Sequence, residues 1–244
     1  MLKLLDRLEK SRIFWFLLGI SVLFFLFRLP SLIEPNWYGD EGFYQVIGSV
    51  LNHGGLLYTD VWDNKPPLLY FVYAFFNGEQ QSIRFFSLIV GVITTISFFF
   101  LAKRIWLKHK YIPFITTSIF GLLFATPLLE GNIANAENFM LLPIILSAFL
   151  IYKHSQRITL TKKFSILNSQ FLTPFLAGFL LGIAFLLKVV AVFDFLAFFL
   201  FLILMISSPK ESGIKNQESR KRTLILTSCF LLLGCMIPLS ITLI

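Results

Sequence analysis

The sequence has little charge and very few cysteines. Only 14% of its 244 residues are Asp, Glu, Lys or Arg, against about 25% in a typical soluble domain, and only two are cysteine. The shortage of charge excludes a soluble enzyme and a disordered tail, and two cysteines do not build a disulfide scaffold. Apolar residues are abundant instead: 57% of the chain is hydrophobic, thirty residues are Phe, and mean hydropathy is +0.79. This composition is typical of an all-α polytopic membrane protein.

Seven apolar runs are candidates for membrane-spanning helices, each of which needs about 20 residues. They are 13–29, 83–102, 112–129, 136–152, 171–187, 189–206 and 223–243. A further run at 68–76 is too short to cross a bilayer, which takes about 17 residues or more. We expect this run to lie in the membrane interface, with Tyr70 and Tyr73 at the level of the lipid headgroups.

The basic residues predict the orientation of these helices. Of the 21 Lys and Arg residues, 17 lie in the four segments 1–12, 103–110, 153–163 and 207–222. The positive-inside rule places all four segments on the cytoplasmic side, and seven spans that start inside agree with it. The net charge of +8 is therefore an orientation signal, and it does not indicate a nucleic-acid partner. We expect a multi-pass protein of the inner or plasma membrane with a cytoplasmic N-terminus.

This topology divides the chain into four parts. A basic N-terminus, 1–12, precedes a membrane module, 13–206, whose only long exterior loop is 30–82. A basic cytoplasmic loop, 207–222, and a last span, 223–244, follow. Within the module, Gly178 and Gly182 form a small-xxx-small pair, which predicts close helix packing and carries no functional weight.

The exterior loop contains two unusual stretches. Asp40 and Glu41 precede an amphipathic pattern, which predicts a short juxtamembrane helix with Asp40 as its N-cap and Glu41 in its first turn. Lys65 precedes Pro66-Pro67, whose stiff backbone holds the lysine at the membrane boundary. A lysine at that depth suits a phosphate headgroup as a point charge. Helix capping alone for Asp40, and contact with bulk lipid phosphates for Lys65, are the structural alternatives.

Seven ionisable residues are predicted at one depth on the extracytoplasmic side. They are Asp40, Glu41, Asp63, Lys65, Arg84, Glu137 and Lys188. Carboxylates deprotonate hydroxyl groups or hold divalent cations, and cations stabilise a departing phosphate. The matching chemistry is group transfer from a lipid-phosphate donor to an acceptor that is reached from outside.

Three motifs at these residues resemble the GT-C superfamily of integral-membrane glycosyltransferases. The chain is similar to bacterial relatives of the dolichyl-phosphate-mannose protein mannosyltransferases and of the lipid A aminoarabinose transferases. The motifs are Asp40-Glu41 with Tyr44, Lys65-Pro66-Pro67-Leu68 followed by the 82–87 segment Ser-Ile-Arg-Phe-Phe-Ser, and the 182–188 segment that ends at Lys188. The resemblance covers about residues 13–206.

The resemblance implies a reaction and a role for each motif. It implies a polyprenyl-phosphate sugar donor, a lipid, glycan or protein acceptor, and an inverting single displacement. Asp40, with Glu41 beside it, would be the catalytic base toward the acceptor hydroxyl, and Lys65, Arg84 and Lys188 would bind the donor phosphate. Because some members hold a divalent metal ion near the Lys-Pro motif, Asp63 and Glu137 are candidates for a metal ligand or an acceptor contact.

Two other classes of function remain as alternatives. One is a transporter or flippase of lipid-linked sugars, which would place ionisable residues near the membrane midplane. Only Asp194, about two turns into the sixth predicted span, is expected to be deep, and this favours the enzyme. The other is a non-catalytic membrane subunit or truncated copy. Members of the resembling family usually have several more spans, so we expect this chain to be an N-terminal fragment, a split-gene product or a degenerate copy.

Overall fold

The computed structural model describes residues 2–36, 38–160, 171–208, 212 and 216–242. Within those ranges the chain forms nine α-helices, two short 3-10 helices and no strand, which confirms the all-α prediction. The α-helices are α1 (Leu2–Arg28), α2 (Gly39–Asn52), α3 (Pro67–Phe75), α4 (Gln80–Ile105), α5 (Ile112–Ala125), α6 (Ala136–Leu160), α7 (Leu172–Leu187), α8 (Ala191–Ser207) and α9 (Gln217–Ile241). The 3-10 helices are Leu29–Leu32 and Pro127–Leu129.

Each of the seven predicted spans corresponds to a helix. Four helical segments are long and apolar enough to cross a membrane: Lys10–Leu32, Gln80–Ile105, Ala136–Gln156 and Gln217–Ile241. The other three, α5, α7 and α8, are apolar but have only 14 to 17 residues. A 16-residue helix is about 24 Å long, which is less than the hydrocarbon thickness of about 30 Å. The polytopic membrane fold is confirmed, with four helices of full spanning length in the described part of the chain.

Helix boundaries differ from the prediction at the basic segments. Because α1 begins at Leu2, the basic N-terminus is a helical extension of the first span. Because α9 begins at Gln217, Arg220, Lys221 and Arg222 lie in its first turns and not in a loop. Asp194 lies in the first turn of α8, which is less deep than predicted. Two predicted basic loops lie partly outside the described residues, at 161–170, 209–211 and 213–215.

The helices belong to two compact units, and the first comprises residues 1–56 and 72–139. In this unit α1, α4 and α5 pack together through aromatic rings. Phe16, Phe99 and Phe114 each come from a different one of these helices, and their ring centroids are 4.8 to 5.5 Å apart. Edge-to-face and tilted ring contacts of this kind stabilise the packing beyond the burial of apolar area.

The second unit comprises residues 57–71 and 140–244 and is built around close packing of α7 with α9. A β-carbon at Gly178 or Gly182 would collide with the backbone of Leu231 or Cys235. On the other helix, Gly234 lies in the same way against the backbone of Phe175. The predicted close packing at the small-xxx-small pair is therefore confirmed.

The short helix α3 has the length that the sequence predicts but not the exposure. Tyr70 and Tyr73 have no exposed surface, so their placement among lipid headgroups is wrong. Tyr73 donates its hydroxyl to the Ala134 carbonyl at 2.7 Å, and Tyr70 donates to a carboxylate oxygen of Asp63 at 2.5 Å. Both rings are buried because the protein supplies the hydrogen-bond partners that their hydroxyl groups need.

Candidate active site

The N-terminus of α2 presents the Asp40 carboxylate. The helix begins at Gly39, Tyr38 occupies the N-cap position, and Asp40 lies exposed in the first turn. The prediction that Asp40 is the N-cap is therefore wrong: its Oδ2 accepts a hydrogen bond from the Tyr44 hydroxyl at 2.9 Å, one helical turn further on. A carboxylate in the first turn is stabilised by the helix dipole. Asp40 is thus an oriented and solvent-facing carboxylate.

Glu41, the next residue, points into the protein and is bound by Arg84. Successive helical residues project about 100° apart, which accounts for the opposite surroundings of Asp40 and Glu41. The Nε and Nη2 groups of Arg84 donate to the two carboxylate oxygens of Glu41 at 2.9 and 2.5 Å. Both side chains are 1% exposed or less. The pair is a buried bidentate ion pair.

Backbone groups complete the surroundings of this pair. Arg84 Nη1 donates to the carbonyls of Ser31 and Glu34, each at 2.6 Å. Oε1 of Glu41 also accepts from the Ala134 backbone N–H at 3.2 Å. The pair therefore ties α2 to α4, to the segment after α1 and to the segment before α6.

A second buried arginine, which the sequence analysis did not select, lies at the end of α1. Arg28 has no exposed surface, and its Nη2 donates to the Ser87 hydroxyl at 3.2 Å. Its Nε and Nη1 groups have no hydrogen-bond partner among the described residues. Only four basic residues lie outside the basic segments, and Arg28 was the one without an assigned role. Its position outside the basic segments could therefore have singled out Arg28 as a buried or functional residue.

The sequence analysis also missed three buried asparagines, two of them before α6 and one in its first turn. Asn132 donates to the Glu34 carboxylate at 2.9 Å, and Asn135 donates to the Glu130 carboxylate at 3.0 Å. Asn138, in the first turn of α6, donates to the Ile133 carbonyl at 2.5 Å. All three asparagines are at most 6% exposed. Their regular spacing of three residues at the start of an apolar run could have indicated this polar cluster.

Glu137 lies in the first turn of α6. Burial, followed by the negative charges of Glu130, Asp40 and Glu137, raises the pKa of Tyr38. The negative charges of two predicted site residues, Asp40 and Glu137, thus both act on the Tyr38 phenol. Such an acidic surface suits an acceptor that carries hydroxyl groups.

The Lys-Pro motif has its own network, in the second unit. Lys65 Nζ lies 3.6 Å from Asp63 Oδ2, with the side chains 22% and 14% exposed. Tyr58 donates its hydroxyl to the Lys65 carbonyl at 2.7 Å. Burial, and then the hydrogen bond to Asp63, raises the pKa of Tyr70, so this phenol stays a donor above its ordinary titration range. Pro67 is the first residue of α3. A backbone N–H at this position has no partner within the helix, so its absence in proline costs no hydrogen bond.

Lys188 lies where α7 ends. Its own backbone is extended, and its N–H donates to the Ala184 carbonyl at 3.0 Å, which closes the helix. The side chain is half-buried in the second unit. Asp63, Lys65 and Lys188 thus belong to the second unit, and Asp40, Glu41, Arg84 and Glu137 to the first. Their predicted gathering at one depth stays a prediction.

The residues near the Lys-Pro motif do not fit a divalent metal ion. Asp63 Oδ1 accepts from the Asn64 backbone N–H, and Oδ2 accepts from Tyr70 and faces the Lys65 ammonium group. Both oxygens of Asp63 therefore already accept from protein donors, and the adjacent ammonium group repels a second cation. In the described part of the chain, no group of three or more His, Cys, Asp or Glu side chains could hold a metal. We assign no step to a metal.

Comparison with protein families identifies the chain. The family model described as dolichyl-phosphate-mannose-protein mannosyltransferase matches residues 56–243, which is more than half of the sequence. The chain belongs to this family. The matched range includes Lys65, Arg84 and Lys188, whereas Asp40 and Glu41 lie before it. No curated protein and no solved structure matches the chain.

Membership of the mannosyltransferase family confirms the resemblance that the motifs indicated. The chain is a membrane-embedded member of a glycosyltransferase family, and its apolar helices agree with that assignment. The family uses a polyprenyl-phosphate sugar donor. The family match does not assign the residues that carry out the transfer. The networks around Asp40 and Lys65 contain the candidates.

Proposed function

We propose that this protein transfers a sugar, mannose as in the family name, from a polyprenyl-phosphate donor to a protein hydroxyl group on the extracytoplasmic side of the membrane. The observation that carries the proposal is the contrast within α2. Asp40 is an exposed carboxylate that accepts a hydrogen bond from Tyr44, whereas Glu41 is buried in an ion pair with Arg84. A carboxylate that is both oriented and accessible is what a general base requires.

Asp40 is proposed as the base of an inverting single displacement. The acceptor oxygen attacks the anomeric carbon of the sugar while its proton passes to the Asp40 carboxylate. The bond between the anomeric carbon and the phosphate oxygen breaks, and its electron pair leaves with the polyprenyl phosphate. The hydrogen bond from Tyr44 fixes the carboxylate during this transfer.

Lys65 is proposed to bind the donor phosphate. Its backbone is anchored by Tyr58 and its ammonium group by Asp63, while the side chain stays 22% exposed. A positioned cation stabilises the negative charge that develops on a leaving phosphate. Lys188, at the end of α7, is proposed as a second phosphate contact, as the family motif implies.

The Glu41–Arg84 pair is proposed to act by positioning. Four N–H groups of Arg84 already donate to Glu41 and to two backbone carbonyls. The pair holds the first turn of α2, and therefore Asp40, in place. Glu137, in the first turn of α6, is proposed to contact the acceptor. Asp63 is proposed to act only by positioning the ammonium group of Lys65.

The proposal is tested by sugar transfer from radiolabelled undecaprenyl-phosphate mannose to membrane acceptors. Purified protein and the variants Asp40→Asn and Lys65→Ala are compared, with Asp60→Asn and Lys153→Ala as controls that remove the same charge elsewhere. We expect transfer to vanish in the first two variants and to persist in the controls. Unchanged transfer in Asp40→Asn and Lys65→Ala would contradict the residue roles. Absence of transfer in the unmodified protein would favour a non-catalytic subunit.

A further inference from the structure

A basic cavity lies at the C-terminal end of α4, the end opposite to Arg84. It has a volume of about 380 Å³ and lies between the start of the first span, the end of α4 and the start of α5, all within the first unit. Four cationic side chains line it: Arg12, Lys103, Lys108 and Lys110. Trp106 and Phe114 form part of its apolar wall. Among the described residues, no acidic side chain lines it.

The cavity lies where each of its three helices changes from apolar to basic sequence. The first span begins at Lys10, α4 ends shortly after Lys103, and α5 begins just after Lys110. Such boundaries mark the headgroup layer of a bilayer, where the phosphates of lipids are found. Trp106 is an amphipathic side chain that suits the same layer.

The cavity has a preformed floor. The Phe114 ring that lines it also contacts Phe16 at 4.8 Å and Phe99 at 5.3 Å between ring centroids. This aromatic group joins the three helices directly beside the cavity. The positive-inside rule accounts for basic residues in the sequence here, but it does not require them to surround a cavity with a packed aromatic floor.

We propose that this cavity binds the headgroup of an anionic phospholipid. The four cations complement a phosphodiester, and the apolar wall accommodates the glycerol and the first part of the acyl chains. A comparable cavity beside the start of α9 has two cations, Lys221 and Arg222, but Glu218 also lines it. That acid lowers its positive charge, so the cavity between α1, α4 and α5 is the better anion site.

The test counts bound lipid on the purified full chain in detergent by native mass spectrometry. The probe is dioctanoyl phosphatidylglycerol, and dioctanoyl phosphatidylcholine has the same chains without net charge. We compare Lys108→Gln/Lys110→Gln with Lys221→Gln/Arg222→Gln. Both variants remove two exposed cations near a cavity at a helix end, so neither should disturb the folded core.

We expect phosphatidylglycerol to bind tightly to the parent chain and at least about tenfold more weakly to Lys108→Gln/Lys110→Gln. The α9 variant and the charge-retaining Lys108→Arg/Lys110→Arg should bind as the parent does. Equal weakening in both Gln variants would overturn the proposal, because diffuse positive charge would then explain the binding. Equal affinity for phosphatidylcholine, or displacement of the lipid by equimolar inorganic phosphate, would also overturn it.

Discussion

Arg84 holds the Glu41 carboxylate through two N–H groups, at 2.9 and 2.5 Å, although the two residues are 43 positions apart. The pair is buried, and removing either partner would leave an uncompensated charge in the protein interior. Because Glu41 follows Asp40 directly in α2, we propose that this pair also holds the helical turn from which the exposed Asp40 carboxylate projects. Local stability and the orientation of the proposed base are therefore coupled at one turn of one helix.

Tyr44→Phe tests the orientation of Asp40 without changing a charge. The variant removes only the hydroxyl that donates to Asp40 at 2.9 Å and keeps the buried ring against Tyr73, 5.4 Å away between centroids. We expect transfer to fall about tenfold, with little change in melting temperature. Transfer and melting temperature are measured on the same preparation. Full transfer by Tyr44→Phe would show that this hydrogen bond does not position the base.

Alkaline pH should destabilise the protein through two buried phenols. Burial raises the pKa of Tyr70 and Tyr73 above the ordinary value near 10, with Asp63 and Glu41 respectively as further causes. A raised folded-state pKa means that protonation stabilises the folded protein. This stability is complete below pH 10 and declines as pH rises above it. The check is the melting temperature in detergent between pH 8 and 11.

Tyr70→Phe and Tyr73→Phe supply the control for this pH dependence. Each variant should flatten the decline above pH 10, because the titrating group is gone. At neutral pH each should also lower stability, since Asp63 and the Ala134 carbonyl then lose a donor. A decline of the same slope in both variants would assign the alkaline loss to other groups.

Gly178→Ala should weaken the packing of α7 on α9. The added methyl group would meet the backbone of Leu231, which cannot move away without shifting the helix. We expect a loss of about 1–3 kcal/mol, seen as a lower melting temperature. Gly19→Ala is the control, because a β-carbon there has no neighbour within 4 Å and alanine favours the helix. Equal melting temperatures for the two variants would contradict close packing at Gly178.

The sequence predicted the helices well because a membrane imposes simple requirements. Long apolar runs must become helices in a bilayer, and all seven runs did. It could not predict the burial of Tyr70 and Tyr73, since a tyrosine is equally suited to the interface and to a satisfied interior site. Only the tertiary contacts to Asp63 and Ala134 decide between these environments.

The candidate site was predictable by residue type but not by pairing. Asp40, Glu41, Lys65 and Arg84 are conspicuous charges in an apolar chain. That Arg84 binds Glu41, and that Asp63 faces Lys65, depends on how segments distant in sequence pack. The three asparagines before and at the start of α6 carry no charge, so they do not stand out in an apolar sequence as the ionisable residues do.

Arg84→Met should be strongly destabilising. It leaves Glu41 buried without its cation, while the carbonyls of Ser31 and Glu34 lose their donor. Breaking a buried pair in this way costs about 3–5 kcal/mol. The double variant Glu41→Gln/Arg84→Met removes both charges and should recover part of the melting temperature. A double variant less stable than Arg84→Met would contradict a charge imbalance as the cause.

Arg28→Met should cost far less than Arg84→Met, although both arginines are fully buried. Among the described residues Arg28 makes one side-chain hydrogen bond, to Ser87, and its Nε and Nη1 groups have no hydrogen-bond partner. Replacing it with an apolar side chain of similar length removes a buried cation and leaves the nearest paired carboxylate, Glu41, with its bidentate partner Arg84. We expect the melting temperature of Arg28→Met to stay near that of the parent. A loss as large as that of Arg84→Met would show that Arg28 compensates a negative charge of its own.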